Sequence, residues 1–133
     1  MPIATINPAT GETVRTFTPA TEHDVDAAIA RAYQRFHDYR RNTTFSQRAE
    51  WANATADLLE AEADQTAAMM TCEMGKTLAA AKAEALKCAK GFRYYAQNAA
   101  KLLADEPSDP SKVGAKKAYT RYQPLGVVLA VMP

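Results

Sequence analysis

Three long stretches of the chain repeat apolar residues at the spacing of an amphipathic helix. The first follows Thr21, whose side chain can cap a helix, and fades near residue 42. The second begins after Thr44, has Gln47 in the position of a capping box, and has Gly75 as a suitable terminator. The third begins after Thr77 and continues beyond residue 100. The pattern therefore predicts three helices that each have one apolar face.

The third predicted helix is rich in alanine on its apolar face. The apolar positions, three and four residues apart, are Leu78, Ala81, Ala85, Cys88, Phe92, Tyr95, Ala99 and Leu102. Alanine lets a neighbouring helix or sheet approach closely, so the pattern favours close packing over a free coiled coil. Gly91 lies in the middle of this helix, where glycine is unfavourable, and we expect close packing at that position to compensate.

Shorter segments predict strands at both ends of the chain. Residues 3–6 and 13–17 are β-prone and flank a turn sequence around Pro8 and Gly11, which predicts a hairpin. Residues 105–111 have the composition of a loop. Residues 118–123 alternate small or aromatic with polar side chains, which is typical of a half-exposed strand.

The most apolar run of the chain is its last one, residues 124–133. A run of valine and leucine between Pro124 and Pro133 predicts a strand buried on both faces, as in parallel sheets. A parallel neighbour requires a crossover connection of about a dozen or more residues. We therefore expect an incomplete α/β fold, in which a hairpin arm and three helices precede the start of a parallel sheet, and we expect the chain to be the first part of a longer protein.

Composition excludes several classes of function. Sixteen basic and fifteen acidic residues give a formal net charge of +1, which does not favour nucleic acid or a membrane surface as a partner. No apolar run approaches the roughly 20 residues needed to span a bilayer. Two cysteines in 133 residues do not make a disulfide framework. Together with an N-terminus that lacks an export signal, these features predict a cytoplasmic protein.

The candidate nucleophiles and metal ligands are few. Cys72 precedes the end of the second helix, where the helix dipole opposes a thiolate, and Cys88 falls on the apolar face of the third. Both are therefore interpreted as small core residues, although Lys76 could assist a nucleophile at Cys72. His23 and His37 lie several turns apart on one helix, so they do not share a metal, and we predict no metal site.

One side of the third helix is basic. Its members are Lys82, Lys87, Lys90, Arg93 and Lys101. This side is either a solvated helix face, a rim that attracts anions, or a nucleic-acid surface, and the near-neutral net charge favours the first reading. The sequence Gly75-Lys76-Thr77 resembles the end of a phosphate-binding loop, but the earlier glycine and the preceding strand are missing, so that interpretation is rejected.

Several short motifs, in order, resemble the N-terminal quarter of the NAD(P)-dependent aldehyde dehydrogenases. They are Asn7-Pro8-Ala9-Thr10-Gly11-Glu12, Glu73-Met74-Gly75-Lys76, Phe92-Arg93-Tyr94-Tyr95-Ala96, Pro124-Leu125-Gly126-Val127 and Val131-Met132-Pro133. Each motif alone is weak, but together they cover nearly the whole chain. Within this family the chain is most similar to the bacterial succinate-semialdehyde dehydrogenases, particularly the NADP-linked actinobacterial ones.

The resemblance implies a division of the chain into three parts. Residues 1–117 would be the arm and helices of the cofactor-binding domain, residues 118–124 a strand of an oligomerisation arm, and residues 125–133 the first strand of a Rossmann-like sheet. Val131, Met132 and Pro133 would border the nicotinamide end of NADP or NAD. Lys87 or Arg93 would lie on the approach to the substrate tunnel, where positive charge would attract an anionic semialdehyde.

The same resemblance implies that no catalytic residue lies in this chain, because the family's nucleophilic cysteine and its glutamate base lie far downstream. The full-length enzyme would be a homo-oligomer that oxidises succinate semialdehyde to succinate with NADP, and the isolated chain would be inactive. The alternative hypothesis is a non-catalytic interaction module that associates with an intact subunit through the strand at residues 119–123.

Overall fold

The computed structural model describes residues 3–131, in which two small hairpins flank a group of helices. The elements in chain order are β1 (Ile3–Ile6), β2 (Thr13–Phe17), α1 (Glu22–Asn42), α2 (Phe45–Ala61), α3 (Ala63–Met74), α4 (Leu78–Leu102), β3 (Glu106–Ser108), a short 3-10 helix (Pro110–Val113) and β4 (Ala118–Thr120). Strands β1 and β2 pair antiparallel, as do β3 and β4. Helix α4 is the centre of the packing, because both α2 and α3 lie against it.

The N-terminal hairpin confirms the prediction from its turn sequence. Ile3 pairs with Phe17 and Ala4 with Thr16, and the register shifts between Thr5 and Ile6. The Asn7 side chain accepts a hydrogen bond from the Ala9 backbone N–H at 2.9 Å, which folds the turn locally. Gly11 has a φ of 76°, a left-handed conformation that glycine adopts without steric cost.

Two of the three predicted helix caps are confirmed. Asp24 N–H donates to the Thr21 hydroxyl oxygen at 3.2 Å, while Thr21 N–H donates to the Asp24 carboxylate at 2.9 Å. Thr44 and Gln47 form the same reciprocal pair at the start of α2. These capping boxes depend only on residues three positions apart, which explains why the sequence predicts them. Thr77 precedes α4 as predicted, but its side chain makes no capping hydrogen bond.

The capping box of α1 predicts a pH dependence of stability. Hydrogen bonds from the Thr21 hydroxyl and backbone N–H hold the pKa of Asp24 below its ordinary value of 3.8. Because the pKa is depressed in the folded state, this contribution is complete above the ordinary value and is lost as the pH falls through the folded-state pKa. We expect Asp24→Asn to lower the thermal midpoint at neutral pH and to flatten its acid dependence. Asp26→Asn makes the same charge change outside the cap. Equal effects of the two substitutions on the thermal midpoint would show that the capping contact of Asp24 does not cause the pH dependence.

The second predicted helix is in fact two helices. The sequence pattern predicts one helix from Thr44 to Gly75, but Glu62 has φ −101° and ψ 15° and separates α2 from α3. Nothing in the local sequence marks this break, since no glycine or proline lies near it. Buried alanines lie on both sides of it, and both segments pack against α4. The break is therefore a consequence of tertiary packing, which lets the two segments follow the same partner helix.

Within residues 3–131 every buried apolar residue is an alanine. The buried apolar residues are Ala56, Ala63, Ala67, Ala81, Ala85 and Ala89. The last three are spaced four apart and form a narrow stripe along α4, so the predicted close approach of a neighbouring element is confirmed. The rest of the predicted apolar face lies outside this stripe: Cys88 is exposed, as are Leu78 and Tyr95. The prediction of Cys88 as a core residue is wrong, because the residues of α4 that are buried within residues 3–131 are Ala81, Ala85 and Ala89.

Gly91 does not make the close contact expected from its position in α4. A Cβ atom added there would have no neighbouring heavy atom within 4 Å. Because alanine is favoured over glycine in a helix interior by roughly 1 kcal/mol, we expect Gly91→Ala to stabilise the chain by about 0.5–1 kcal/mol. Chemical denaturation followed by far-ultraviolet circular dichroism measures the change. A destabilised Gly91→Ala variant would show that the helix needs glycine there.

The C-terminal part differs from its prediction in two ways. Residues 106–108 form strand β3 by pairing with residues 118–120, although their composition predicts a loop. Proline is tolerated at position 107 because this two-stranded ladder has an open edge. Residues 125–131 form no strand, and Leu125 and Leu129 are 97% and 87% exposed. A strand requires a hydrogen-bonding neighbour, and the part of the chain described here offers none to this run. Its place in a parallel sheet remains a prediction.

The chain leaves much apolar surface in contact with solvent. Its accessible area is 10953 Å², whereas a folded monomer of 14.5 kDa exposes about 6,900 Å². Helix α1 contributes to the excess, because it buries no residue and exposes Val25, Ile29 and Tyr33 on its apolar face. The helices therefore form a layer with uncovered faces, which is an arrangement suited to packing against further structure.

Candidate functional site

Two of the sequence motifs meet in space. Gly75 ends α3 with a φ of 71°, and its N–H donates to the Thr71 carbonyl at 3.0 Å. A Cβ atom placed on Gly75 would lie 3.0 Å from Cγ of Pro8, so the hairpin turn packs directly on the end of α3. At this contact one motif has proline, which fixes its own φ, and the other has glycine, which tolerates a positive φ and leaves room for the proline ring. It fixes the arm against the helices and has no chemical group suited to catalysis.

Arg93, a predicted substrate-approach residue, connects α4 with α2. Its Nη2 lies 2.7 Å from Oδ1 of Asp57 and 2.6 Å from Oε2 of Glu60. The hydrogen bonds that Arg93 donates to Glu60 and, with a smaller effect, to Asp57 raise the pKa of Arg93 above its ordinary value. Two carboxylates around one guanidinium leave the cluster with a net negative formal charge. This geometry supports a structural role for Arg93 and gives the cluster no attraction for an anion.

Lys87, the other predicted substrate-approach residue, lies in a shallow depression along α4. Lys76, Glu84 and Cys88 share this depression, and Lys76 forms an ion pair with Glu84 across it. Lys82, one turn away, is paired with Asp64 of α3 at 2.5 Å. Lys87 has no carboxylate partner in the described part of the chain, so its charge is available to solvent and to ligands. Its role in attracting substrate remains a prediction.

The thiols and imidazoles form no reactive group within residues 3–131. Cys72 is half-buried and Cys88 exposed, and neither thiol is hydrogen-bonded to a base among these residues. The His37 ring lies edge-on against Tyr33, with ring centroids 4.5 Å apart. The same residues contain no cluster of three side chains able to hold a metal ion.

The predicted cofactor-binding residues lie at the C-terminal end. Val131 is 84% exposed, while Met132 and Pro133 lie outside the described residues. The Rossmann type of dinucleotide site has a glycine-rich turn between a strand and a helix, and residues 3–131 contain no such turn. The contact of Val131 with the nicotinamide remains a prediction.

The β3–β4 hairpin is held by polar contacts at its base. Arg121 Nε and Nη2 donate to the two oxygens of Asp105 at 2.9 and 2.5 Å, which lowers the pKa of Asp105. Tyr122 donates to Glu106 at 2.9 Å, and this hydrogen bond raises the pKa of the Tyr122 hydroxyl. The outer edge of β4 is unpaired within the described residues. The predicted strand thus exists over residues 118–120, and its use in oligomerisation remains a prediction.

Arg48 is a candidate functional residue that the sequence analysis missed. It is half-buried at the start of α2 and lines two adjoining openings in the surface. One lies between α2 and α4 and is floored by alanine, with Phe45, Phe92 and Tyr95 at its walls. In the sequence Arg48 is a single arginine in the first turn of a helix, so no local pattern distinguishes it from a solvated residue.

No helix within residues 3–131 combines the length and the apolar character that a membrane span requires. The cytoplasmic location inferred from composition remains a prediction.

Comparison with known proteins agrees with the resemblance seen in the motifs. The family described as "Aldehyde dehydrogenase family" matches residues 1–133. The chain is 82% identical to the succinate-semialdehyde dehydrogenase [NADP(+)] of Mycobacterium avium (strain 104), covering all of this chain and 28% of that protein. It is 81% identical to succinate-semialdehyde dehydrogenase [NADP(+)] 1 of Mycobacterium ulcerans (strain Agy99), covering 29% of it.

A solved structure shows the same arrangement. The succinic semialdehyde dehydrogenase from Streptococcus pyogenes, in complex with NADP+, matches with a TM-score of 0.77 and 29% identity over 80% of this chain and 24% of that one. The chain thus spans little more than a quarter of the length of the curated relatives that it matches. The predicted fold class, the N-terminal part of this α/β fold, is confirmed. The chain belongs to the aldehyde dehydrogenase family.

Proposed function

We propose that the chain is the N-terminal section of an NADP-linked succinate-semialdehyde dehydrogenase, which oxidises succinate semialdehyde to succinate. The observation that carries this proposal is the 82% identity, over all 133 residues, with a protein of that name. The uncovered apolar faces of α1 and residues 125–131 support it, because a section of a larger enzyme needs such faces to pack against the rest.

In this proposal the chain supplies structure and leaves the chemistry to the remaining section. Neither thiol within residues 3–131 is hydrogen-bonded to a base, and activation by such a base is the usual requirement for a nucleophile. NADP+, when bound, supplies the hydride acceptor. The residues of this chain orient α4 through the alanine stripe and the Arg93 ion pairs, and they fix the arm through the contact between Pro8 and Gly75.

A chimera tests the proposal. Residues 1–133 of this chain replace the matching section of the M. avium relative, and NADP+ reduction is followed with succinate semialdehyde. We expect activity within a few-fold of the relative, and no activity from the isolated chain. A folded chimera without activity would contradict the proposal that the chain is a section of this enzyme. Turnover by the isolated chain would contradict the proposal that the catalytic groups lie in the remaining section.

Lys87 allows a finer prediction within the same chimera. If its unpaired charge attracts the carboxylate of the semialdehyde, Lys87→Met raises the KM for that substrate a few-fold and leaves kcat and the KM for NADP+ unchanged. Lys90→Met, which removes a second exposed charge from α4, is the matched control. The KM effect should shrink at high ionic strength. Equal effects of the two substitutions would contradict a specific role for Lys87.

A second candidate function is association of the chain with an intact subunit through strand β4, without catalysis. The unpaired outer edge of Ala118–Thr120 favours it, since such an edge accepts a further strand. A pull-down of the M. avium relative by the tagged chain tests this candidate, with a proline at Tyr119 as the edge-blocking variant. Capture that is unaffected by this proline would argue against β4 as the contact.

A further inference from the structure

Arg48 lies where three elements meet and is only partly accessible to solvent. Its Nε donates to the Thr43 hydroxyl at 2.9 Å, and its guanidinium carbon lies 4.6 Å from the centroid of the Tyr39 ring. The Phe45 ring lies on another side, at 5.6 Å. These contacts hold the guanidinium in one place between α1 and α2. They satisfy one edge of the group and leave donors on the other edge unused.

The charge of Arg48 is not balanced in the way that the other interhelix charges are. Lys82 of α4 faces Asp64 of α3, and Arg93 of α4 faces Asp57 and Glu60 of α2. Arg48 has no carboxylate within ion-pair distance among residues 3–131. A half-buried cation has lost part of its hydration, and aromatic rings replace only some of it. Among the described residues, Arg48 is therefore a half-buried cation at a helix contact that is suited to receive an anion.

The surroundings of Arg48 favour a polypeptide segment as the source of that anion. The opening between α2 and α4 has a volume of about 410 Å³, and its floor is formed by alanine side chains. The adjoining opening, of about 420 Å³, has a mixed lining, in which Asp105 is already paired with Arg121 beside Leu103 and Pro124. A small free anion would neutralise Arg48 and leave the apolar walls of the first opening in water. A segment with an acidic side chain among apolar ones would satisfy both.

We infer that the groove between α2 and α4 receives a segment of the catalytic section of the enzyme, which presents an aspartate or glutamate to Arg48 and apolar side chains to the alanine floor. This inference rests on the proposed function, because that section is the additional length present in the relatives, of which this chain spans 28%. A planar guanidinium binds a carboxylate through two parallel hydrogen bonds, which would also set the register of the segment.

The test compares Arg48→Met and the parent in the chimera with the M. avium relative, by chemical denaturation at several pH values. Methionine keeps an apolar stem in the groove and removes the charge. We expect the folded-to-unfolded ratio at neutral pH to fall about tenfold or more. The difference should close as the pH falls through the pKa of the partner carboxylate, because protonation removes the ion pair from the parent alone. Arg31→Met, on the exposed face of α1, is the control.

Three results would overturn the inference. One is an Arg48→Met chimera as stable as the parent. Another is a loss that is the same at every pH, which would show that Arg48 only joins α1 to α2. The third is stabilisation of the isolated chain by millimolar succinate or phosphate, which would indicate a site for a free anion. If Arg48→Met fails to fold, Arg48→Lys keeps the charge, and its chimera should retain the acid dependence of the parent.

The outcome is separable from that of the proposed function. A chimera that folds but lacks activity would remove the proposed reaction, while its denaturation curves would still show whether Arg48 has a titrating partner. An active chimera whose stability is independent of Arg48 would support the reaction and remove the groove contact.

Discussion

Replacing Ala89 by leucine is expected to lower the free energy of unfolding by about 1–3 kcal/mol. Ala89 is fully buried in the stripe where α4 meets its neighbouring helices. Every buried residue in the described range is alanine, so the helices approach each other closely at this stripe. Three extra carbon atoms would therefore have to separate the helices, and the other contacts of the stripe would weaken with them.

Ala83→Leu is the matched control for this substitution. Ala83 is exposed on the same helix, and leucine and alanine have similar helix propensities. We expect its effect to stay within about 0.5 kcal/mol of zero. Urea denaturation followed by far-ultraviolet circular dichroism measures both variants. An Ala89→Leu chain as stable as the control would show that α4 does not pack through its alanine stripe.

Replacing Gly75 by alanine is expected to cost more than the ordinary loss of a helix terminator. The left-handed backbone at φ 71° costs an alanine about 1–2 kcal/mol. The new Cβ would in addition lie 3.0 Å from Cγ of Pro8, so the hairpin turn would have to move. We therefore expect a loss of about 2–3 kcal/mol, together with increased exposure of the hairpin to proteases.

Gly114 offers a control that separates the two causes. It ends the 3-10 helix with a φ of 63°, and a Cβ atom there would have no neighbour within 4 Å. Gly114→Ala should therefore show the backbone cost alone. Adding Pro8→Ala to Gly75→Ala should recover part of the larger loss, because it removes the atom that the new Cβ meets. Equal losses at Gly75 and Gly114 would show that the hairpin contact has no energetic weight.

The features that the sequence predicts correctly are those determined by neighbouring residues. The caps at Thr21 and Thr44 each need one partner three residues away, and the first hairpin needs its own turn sequence. The end of α3 at Gly75 follows from the tolerance of glycine for positive φ. In each case the information lies within about six residues, so a single sequence is sufficient.

The features that the sequence does not reveal are determined by distant parts of the chain. The break at Glu62 arises from packing on α4, and β3 forms because residues 118–120 fold back on it. The prediction of Cys88 as a core residue failed because the period of a helix does not say how wide its contact face is. The ion pairs of Arg93 join residues more than thirty positions apart, which no local pattern can indicate.

The candidate site likewise has some features that neighbouring residues determine and others that distant parts of the chain determine. The motifs identify the family, because their order and residue types are local information. The availability of Lys87, the neutralisation of Arg93 and the contacts of Arg48 depend on which carboxylates the fold brings near, and only the structure shows this. The family resemblance selected Lys87 and Arg93 alike as substrate-approach residues, whereas the ion pairs of Arg93 distinguish it from Lys87.

The most direct test of the account is amide hydrogen exchange of residues 3–131 in the isolated chain and in the chimera with the M. avium relative. If the uncovered faces of the chain pack against the catalytic section, amides of α1 and of residues 125–131 exchange much more slowly in the chimera than in the isolated chain. Amides along the alanine stripe of α4 should change little, because they are already protected. Equal exchange of α1 and residues 125–131 in a folded, active chimera would contradict this packing.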